Sequence, residues 1–283
     1  MTATPPTPSA GLRTPRPPGV VRRLCDVLAL SRRNMVHIAR EPLQLSDVTV
    51  QPVLFTLLFV YVFGAGVVLP GGHSYADFAI AGLLAFSLTT SAMGTGVGLS
   101  TDINSGIIDR LGTLPMWRPS VLVSRSIADL LTSCLCALMV AVTGLCLGWR
   151  PTGGVASIAA GFAIFLLFAY ALSWGSACLA MVSKGPESAQ GVGLVILFPL
   201  AVVSNALVPT RRMPTVIRAV ADWNPVSAVT SAGRTLWHNP DPSASIHAWP
   251  MQHPVEASLL WCALLLLVFA PLGTVLYRRR TTG

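Results

Sequence analysis

The chain has 283 residues, 53% of them hydrophobic and only 11% charged, with a mean hydropathy of +0.65. A soluble domain carries about 25% charged residues, so a soluble enzyme is a poor fit and a polytopic membrane protein is the default. The net charge of +8 is almost wholly arginine, Lys184 being the only lysine; these arginines cluster at the ends of apolar blocks and form no stripe with interleaved aromatics, which speaks for membrane orientation and against nucleic acid.

Residues Met1 to Gly19 hold six prolines and few large apolar side chains, the composition of a disordered tail. No apolar core follows a basic start here, so no cleavable signal peptide is expected and the N-terminus is expected to stay inside the cell. The next segment, 20–42, reads as an amphipathic cytoplasmic helix. Val21, Leu24, Leu28, Met35 and Ile38 fall on one side, and Arg22, Asp26, Arg33, His37 and Arg40 on the other. Such a helix lies flat on an anionic membrane surface, its basic side toward headgroups or a partner; the bland alternative is a plain basic juxtamembrane segment. Pro42 ends it.

Residues 43–283 then carry six apolar blocks. A span needs about 20 apolar residues, and the blocks run near 49–69, 77–99, 121–147, 155–182, 189–208 and 257–277. The fold expected is an all-α polytopic membrane protein with six transmembrane helices. Placing the N-terminus inside puts 14 of the 19 basic residues on the inner side, which predicts cytoplasmic N- and C-termini. Phe55, Phe59, Tyr61 and Phe63 give the first span an aromatic face on which an amphipathic guest can stack; lipid contact and helix packing leave the same pattern. Gly94 and Gly98 fit close helix packing near the end of the second span.

Between the second and third blocks lies the polar stretch Ser100 to Ser120, STDINSGIIDRLGTLPMWRPS. It reads as a short cytoplasmic helix, with Ser100 or Thr101 as cap, Asp102 in the first turn, and Pro115 and Pro119 as stops. Ile103, Ile107, Leu111 and Leu114 share one face, and Asp102, Ser105 and Asp109 another. That arrangement suits docking into a partner's groove, or a solvated connector.

The loop between the fifth and sixth blocks has structure of its own. Pro214 opens a short helical pattern with Val216, Ile217 and Val220 on one face, and Asn224-Pro225 reads as a cap and first helical position for a second, with Val226, Val229, Leu236 and Trp237 as its apolar side. The pair forms an outer helical hairpin that lines or plugs a vestibule, or else an interfacial loop anchored by Trp223 and Trp237. Residues His238 to Pro254, with four prolines, read as irregular. Asn205, near the outer end of the fifth block and close to Pro199, either bonds across helices or faces a translocation path.

Several chemistries are missing. A phosphate-cradling loop needs a lysine after a glycine-rich run, and Lys184 stands in Ser183-Lys184-Gly185, so the chain has no nucleotide-hydrolysing site of that kind. His37, His73, His238, His247 and His253 lack metal-ligand spacing. The six cysteines form no CxxC pair and read as small buried hydrophobes. Asp129 is the one acid well inside a block, and Arg125 precedes it by one turn on the same face, a local ion pair before it is a proton relay.

With those residues in view, the chain after Val20 resembles the ABC type-2 exporter permeases, and among them the daunorubicin-resistance (DrrB-like) permeases. The resemblance is carried by RNMVHIAREPLQL, VQPVLFTLLFVYVFG, GTGVGLSTDINSGIIDRLGTLPM, SRSIADL, FPLAVVSNALVPTRRMP and ADWNPVSAVTSAGRTLW, in that order. It implies a permease without its own ATPase in a bacterial plasma membrane, exporting an amphipathic drug, antibiotic or lipid. It further implies two copies of a separate P-loop ATPase subunit, with ATP and magnesium held there and no cofactor on this chain. A second permease, identical or related, and membrane lipid complete the partners. The central stretch becomes the coupling helix, and the resemblance lays the ATPase contact on Asp102, Gly106, Ile107, Asp109, Arg110, Leu114 and Pro115. Arg33, Arg40 and Glu41 before the first span, and Lys184 and Glu187 between the fourth and fifth, are implied as further contacts. Phe55, Phe59 and Asn205 are candidates for the translocation path. The competing readings are a self-contained secondary transporter or channel, disfavoured by the lack of intramembrane acids, and a membrane-embedded enzyme, disfavoured by the lack of a catalytic constellation.

Overall fold

The computed structural model describes residues 42–64, 74–106, 120–210, 213–241 and 248–282. Among them the regular structure is entirely helical: α1 (Pro42–Gly64), α2 (Tyr75–Asn104), α3 (Ser120–Cys146), α4 (Val155–Val182), α5 (Pro186–Val202), α6 (Thr215–Asp222), α7 (Pro225–Leu236), α8 (Trp249–Gln252) and α9 (Pro254–Thr282). The expected amphipathic helix before Pro42, with Arg33, Arg40 and Glu41, lies outside the described residues, as does 107–119.

Local chemistry sets the helix ends. Ser74 caps α2, its Oγ accepting from the Ala76 backbone N–H at 3.2 Å, and Asp77 adds negative charge to the first turn. Pro186 opens α5 with Glu187 beside it. Asn224 caps α7 as expected, its Oδ1 accepting from the Val226 N–H at 2.8 Å. The same side chain does a second job: its Nδ2 donates to the carbonyls of Leu200 and Val203 at 2.7 and 2.6 Å, so the end of α5 and the start of α7 share one amide. Asn224→Ala is therefore expected to cost about 2 kcal/mol, a lost cap plus orphaned buried carbonyls, read as a lower thermal midpoint of the detergent-solubilised protein.

Among the described residues five helices are long and apolar enough to cross a membrane: Leu45–Gly64, Tyr75–Asn104, Val123–Cys146, Val155–Val182 and Pro254–Tyr277. They match the expected blocks one, two, three, four and six. The fifth block differs. Instead of a helix over 189–208, α5 ends at Val202 after 17 residues, about 26 Å at 1.5 Å per residue against a hydrocarbon core of about 30 Å. Pro199 interrupts its last turn, Asn224 takes its final carbonyls, and residues 203–210 turn back into the protein.

The bundle is built around α2, which packs against α1, α3, α4, α5 and α7, while α9 closes the far side against α4 and α7. Alternating directions give it two ends. At one end Leu99 of α2 meets Met181 of α4 and Tyr277 of α9, beside Asp102. At the other, Trp149 after α3, Phe165 of α4 and Trp237 after α7 pack together, with Trp237 stacked on Phe165 and edge-on to Trp149.

The two helices expected to form an outer hairpin divide unequally. In α6 the expected apolar face is present but uncovered, with Val216, Ile217 and Val220 at 78%, 45% and 58% exposure. By contrast, α7 is buried all round from Pro225 to Arg234, its polar Ser227, Thr230 and Ser231 included. It is no amphipathic surface helix; it is a half-length helix seated inside the bundle between α2, α4 and α9. Part of the stretch expected to be irregular is also helical, since α8 and the start of α9 occupy 249–254.

Arg234 fixes this plug. Its side chain is fully buried. Nε donates to the Phe78 carbonyl at 3.1 Å, and Nη2 to the carbonyls of Asn205 and Ala206 at 3.0 and 3.3 Å. Nη1 lies 3.6 Å from Asp241, and the guanidinium sits 3.9 Å over the Phe78 ring. Burial pulls its pKa down to about 10, opposed by Asp241 and Tyr75, so it stays charged at neutral pH. The charge counted on the outer side in the sequence is thus an internal staple joining α2, the 203–210 turn and α7.

Candidate functional site

The Asp102 end carries the residues expected to couple the chain to a partner. The helix that was expected to begin at Ser100 does not begin there: α2 runs unbroken to Asn104, and Ser100, Thr101 and Asp102 belong to its last turn. Ser105 closes it, donating its backbone N–H to Thr101, and Gly106 follows at φ +68°, the left-handed conformation that glycine adopts without strain. Asp102 accordingly caps nothing. Its Oδ2 receives Arg125 Nη1 from α3 at 2.9 Å. The end of α2 and the start of α3 are therefore clasped together. Ile107, Asp109, Arg110, Leu114 and Pro115 fall within 107–119, outside the described residues.

Arg125 reaches α2 across Gly98, where an added Cβ would lie 1.9 Å from Nη2. Gly98 is thus the recess that admits the guanidinium. Gly96 also has a close neighbour, with Ser176 O 3.0 Å from its Cβ position, whereas Gly94 faces open space, so the packing expected of Gly94 is supplied by Gly96. Arg125 has a second acid within reach. Nε stands 3.7 Å from Asp129 Oδ1, one turn along α3, confirming the pair expected from their spacing, with Thr95 of α2 beside the same carboxyl. The sequence missed Asp102 as the third member. Its only signal was an acid and an arginine on either side of one polar stretch that carries other charges of both signs.

Lys184 and Glu187 are exposed in the turn between α4 and α5. Gly185 between them lies against the end of α2, its Cβ position 3.2 Å from Asn104 Nδ2, so this second turn stands beside the first at the same end of the bundle.

Phe55 and Phe59 lie on a continuous aromatic ladder. Phe63, Phe59 and Phe55 stack along α1 with centroids 5.1 and 6.1 Å apart, Phe55 meets Phe86 of α2 at 5.8 Å, and Phe86 meets Phe198 of α5 edge-on at 6.3 Å. The ladder begins and ends on exposed rings, Phe63 and Phe198. Asn205 lies elsewhere. It is fully buried in the turn after α5, donating Nδ2 to Ser231 Oγ at 2.7 Å and its backbone N–H to Ser227 Oγ at 2.9 Å. These are cross-helix bonds that hold α7 in place. Among the described residues no three His, Cys, Asp or Glu side chains gather as a metal site.

Comparison with known proteins places this geometry in context. The family model described as ABC-2 type transporter matches residues 26–236. The chain is 32% identical over 274 residues to the daunorubicin resistance ABC transporter permease protein DrrB1 of Streptomyces coeruleorubidus, covering 96% of this chain and 91% of that one. It is 25% identical over 262 residues to the probable doxorubicin resistance ABC transporter permease protein DrrC of Mycobacterium tuberculosis, covering 92% and 90%. It is 26% identical over 219 residues to the putative transport permease ycf38 of Porphyra purpurea, covering 76% and 75%.

Proposed function

The chain belongs to the ABC-2 type transporter membrane family, and from that premise we propose that it is the membrane permease of a drug exporter, driven by a separate ATPase that docks at the Asp102 end. It is a multi-pass protein of the bacterial plasma membrane. The substrate class we assign is the amphipathic, aromatic molecule that the resistance relatives' names describe. ATP and magnesium belong to the partner, in two copies, and a second permease sits alongside. In this reading the Asp102 end is cytoplasmic, α5 is the sixth membrane helix, cut short so that α6 and α7 can fill the outer end, and both termini are inside.

The single observation that carries the mechanism is the clasped turn. A push transmitted through 107–119 reaches two long helices whose roots meet at the Asp102–Arg125 contact, so it bears on α2 and α3 together. Because α2 is packed on α1, α3, α4, α5 and α7 and is stapled to α7 through Arg234, its tilt reaches the outer end. The Lys184–Glu187 turn offers a second contact next to the first, and Arg33, Arg40 and Glu41 extend it. The aromatic ladder, open at Phe63 and Phe198, gives a planar guest a succession of faces on which to stack. Asn205 is assigned a holding role at the outer end in place of the path.

The test is co-purification and coupling. A P-loop ATPase is expected to co-purify with the chain, and reconstituted vesicles are expected to move daunorubicin only with ATP. Replacing Asp109 and Arg110 together is expected to leave membrane insertion intact while export falls by at least about tenfold relative to ATP hydrolysed. Undiminished export by that double variant would sink the assignment of 107–119 as the coupling segment.

A further inference from the structure

We propose that Arg125 is a shared cation that passes from Asp102 to Asp129 when the clasp between α2 and α3 opens, which makes Asp129 a positioning residue for coupling. The proposal rests on the reading of 107–119 as the coupling segment.

Three groups are held in an unequal arrangement. The Asp102 contact is short but wet, its side chain 31% exposed, whereas the Arg125 and Asp129 side chains are at 19% and 12%. The Asp129 contact is long, at 3.7 Å. The two atoms that a closer approach would satisfy are both buried without a hydrogen-bond partner among the described residues: Arg125 Nε and Asp129 Oδ2. A pair with only a structural task would close that gap. Here it is held open by the pull of Asp102 from the other helix.

The consequence follows from desolvation. Breaking an ion pair at a wet carboxylate costs little, because water replaces the partner. Leaving a buried guanidinium or a buried carboxylate alone costs far more. Under load the clasp therefore parts at Asp102, and Arg125 settles onto Asp129 without an interval as an unpaired buried charge. Gly98 leaves the recess through which the guanidinium shifts. The opposite exchange, when the load is released, restores the tie between the helices. Asp129 thus lowers the barrier to opening and Asp102 sets the resting state.

The whole complex with its ATPase, in vesicles with daunorubicin as the probe, tests this. Asp129→Asn is expected to assemble while moving at least about fivefold less daunorubicin per ATP, with Asp129→Glu recovering most of the loss. Asp102→Asn is expected to raise drug-free ATP hydrolysis by a similar factor, because the clasp then opens unopposed. This second readout needs no transport, so it stands even if Asp129→Asn fails to assemble or if the wild-type complex moves no daunorubicin, an outcome that would count against the proposed substrate. Wild-type drug per ATP in Asp129→Asn, or wild-type drug-free hydrolysis in Asp102→Asn, overturns the exchange.

Discussion

Arg234→Ala is expected to dismantle the end of the bundle that holds α7. The substitution removes the donors of three buried carbonyls, on Phe78, Asn205 and Ala206, and leaves Asp241 without its guanidinium. Breaking a buried, hydrogen-bonded charge costs about 3–5 kcal/mol, a large share of the stability of any single domain. The expected result is a severe loss of monodisperse protein on size exclusion in detergent, and a collapse of the thermal midpoint in whatever survives. Arg234→Lys is expected to fall between: an ammonium keeps the charge but cannot hold the planar fork that reaches α2 and the 203–210 turn at once. If Arg234→Ala were as stable as wild type, the staple would have no energetic role.

Gly82→Ala is expected to strike the same region from the other side. A Cβ at Gly82 would stand 1.7 Å from the Ala206 carbonyl oxygen and 2.4 Å from its carbon. The obstacle is backbone, so no side-chain rotation relieves it, and either α2 or the 203–210 turn must move. Overpacking of this kind costs about 3 kcal/mol or more. Because the displaced carbonyl is one that Arg234 holds, the two substitutions share a target, and their combined cost is expected to be well below the sum of the single costs. A double-variant cycle in chemical or thermal denaturation reads that coupling directly; strict additivity would mean that the turn and the staple act independently.

Much of this fold is written locally. The α4 helix spans 155–182 as expected, because an unbroken apolar run is bracketed by Gly153-Gly154 and by Ser183 to Pro186. The start of α7 followed from Asn224-Pro225 alone. What escaped was decided at long range. The isoleucines and leucines of 103–114 continue the helical period of the preceding span, so periodicity could not say whether Ser100 to Asp102 ended one helix or began another; in the structure α2 runs on to Asn104 and Gly106 follows at φ +68°. Arg234 looked like a loop charge because most of its partners are backbone carbonyls, which leave no trace in side-chain identity. The burial of α7 did have a signal, its small residues Ser227, Ala228, Ser231 and Ala232 at helix-packing spacing, outweighed by a reading that assigned the whole loop to the water side. The cut in α5 depends on Asn224, contributed from beyond the turn.

The seating of α7 also fixes an order of biogenesis. A half-length helix carrying Ser227, Thr230, Ser231 and a charged Arg234 is too short and too polar to be released into lipid as a span of its own. Its wall on one side is α9, which the ribosome makes after α7. The α7 helix is therefore expected to seat against Phe78 only after α9 has entered the bilayer. A nascent chain truncated before Pro254 is expected to expose this unsatisfied segment to proteolytic surveillance, so α9 acts as the checkpoint for the seating of α7.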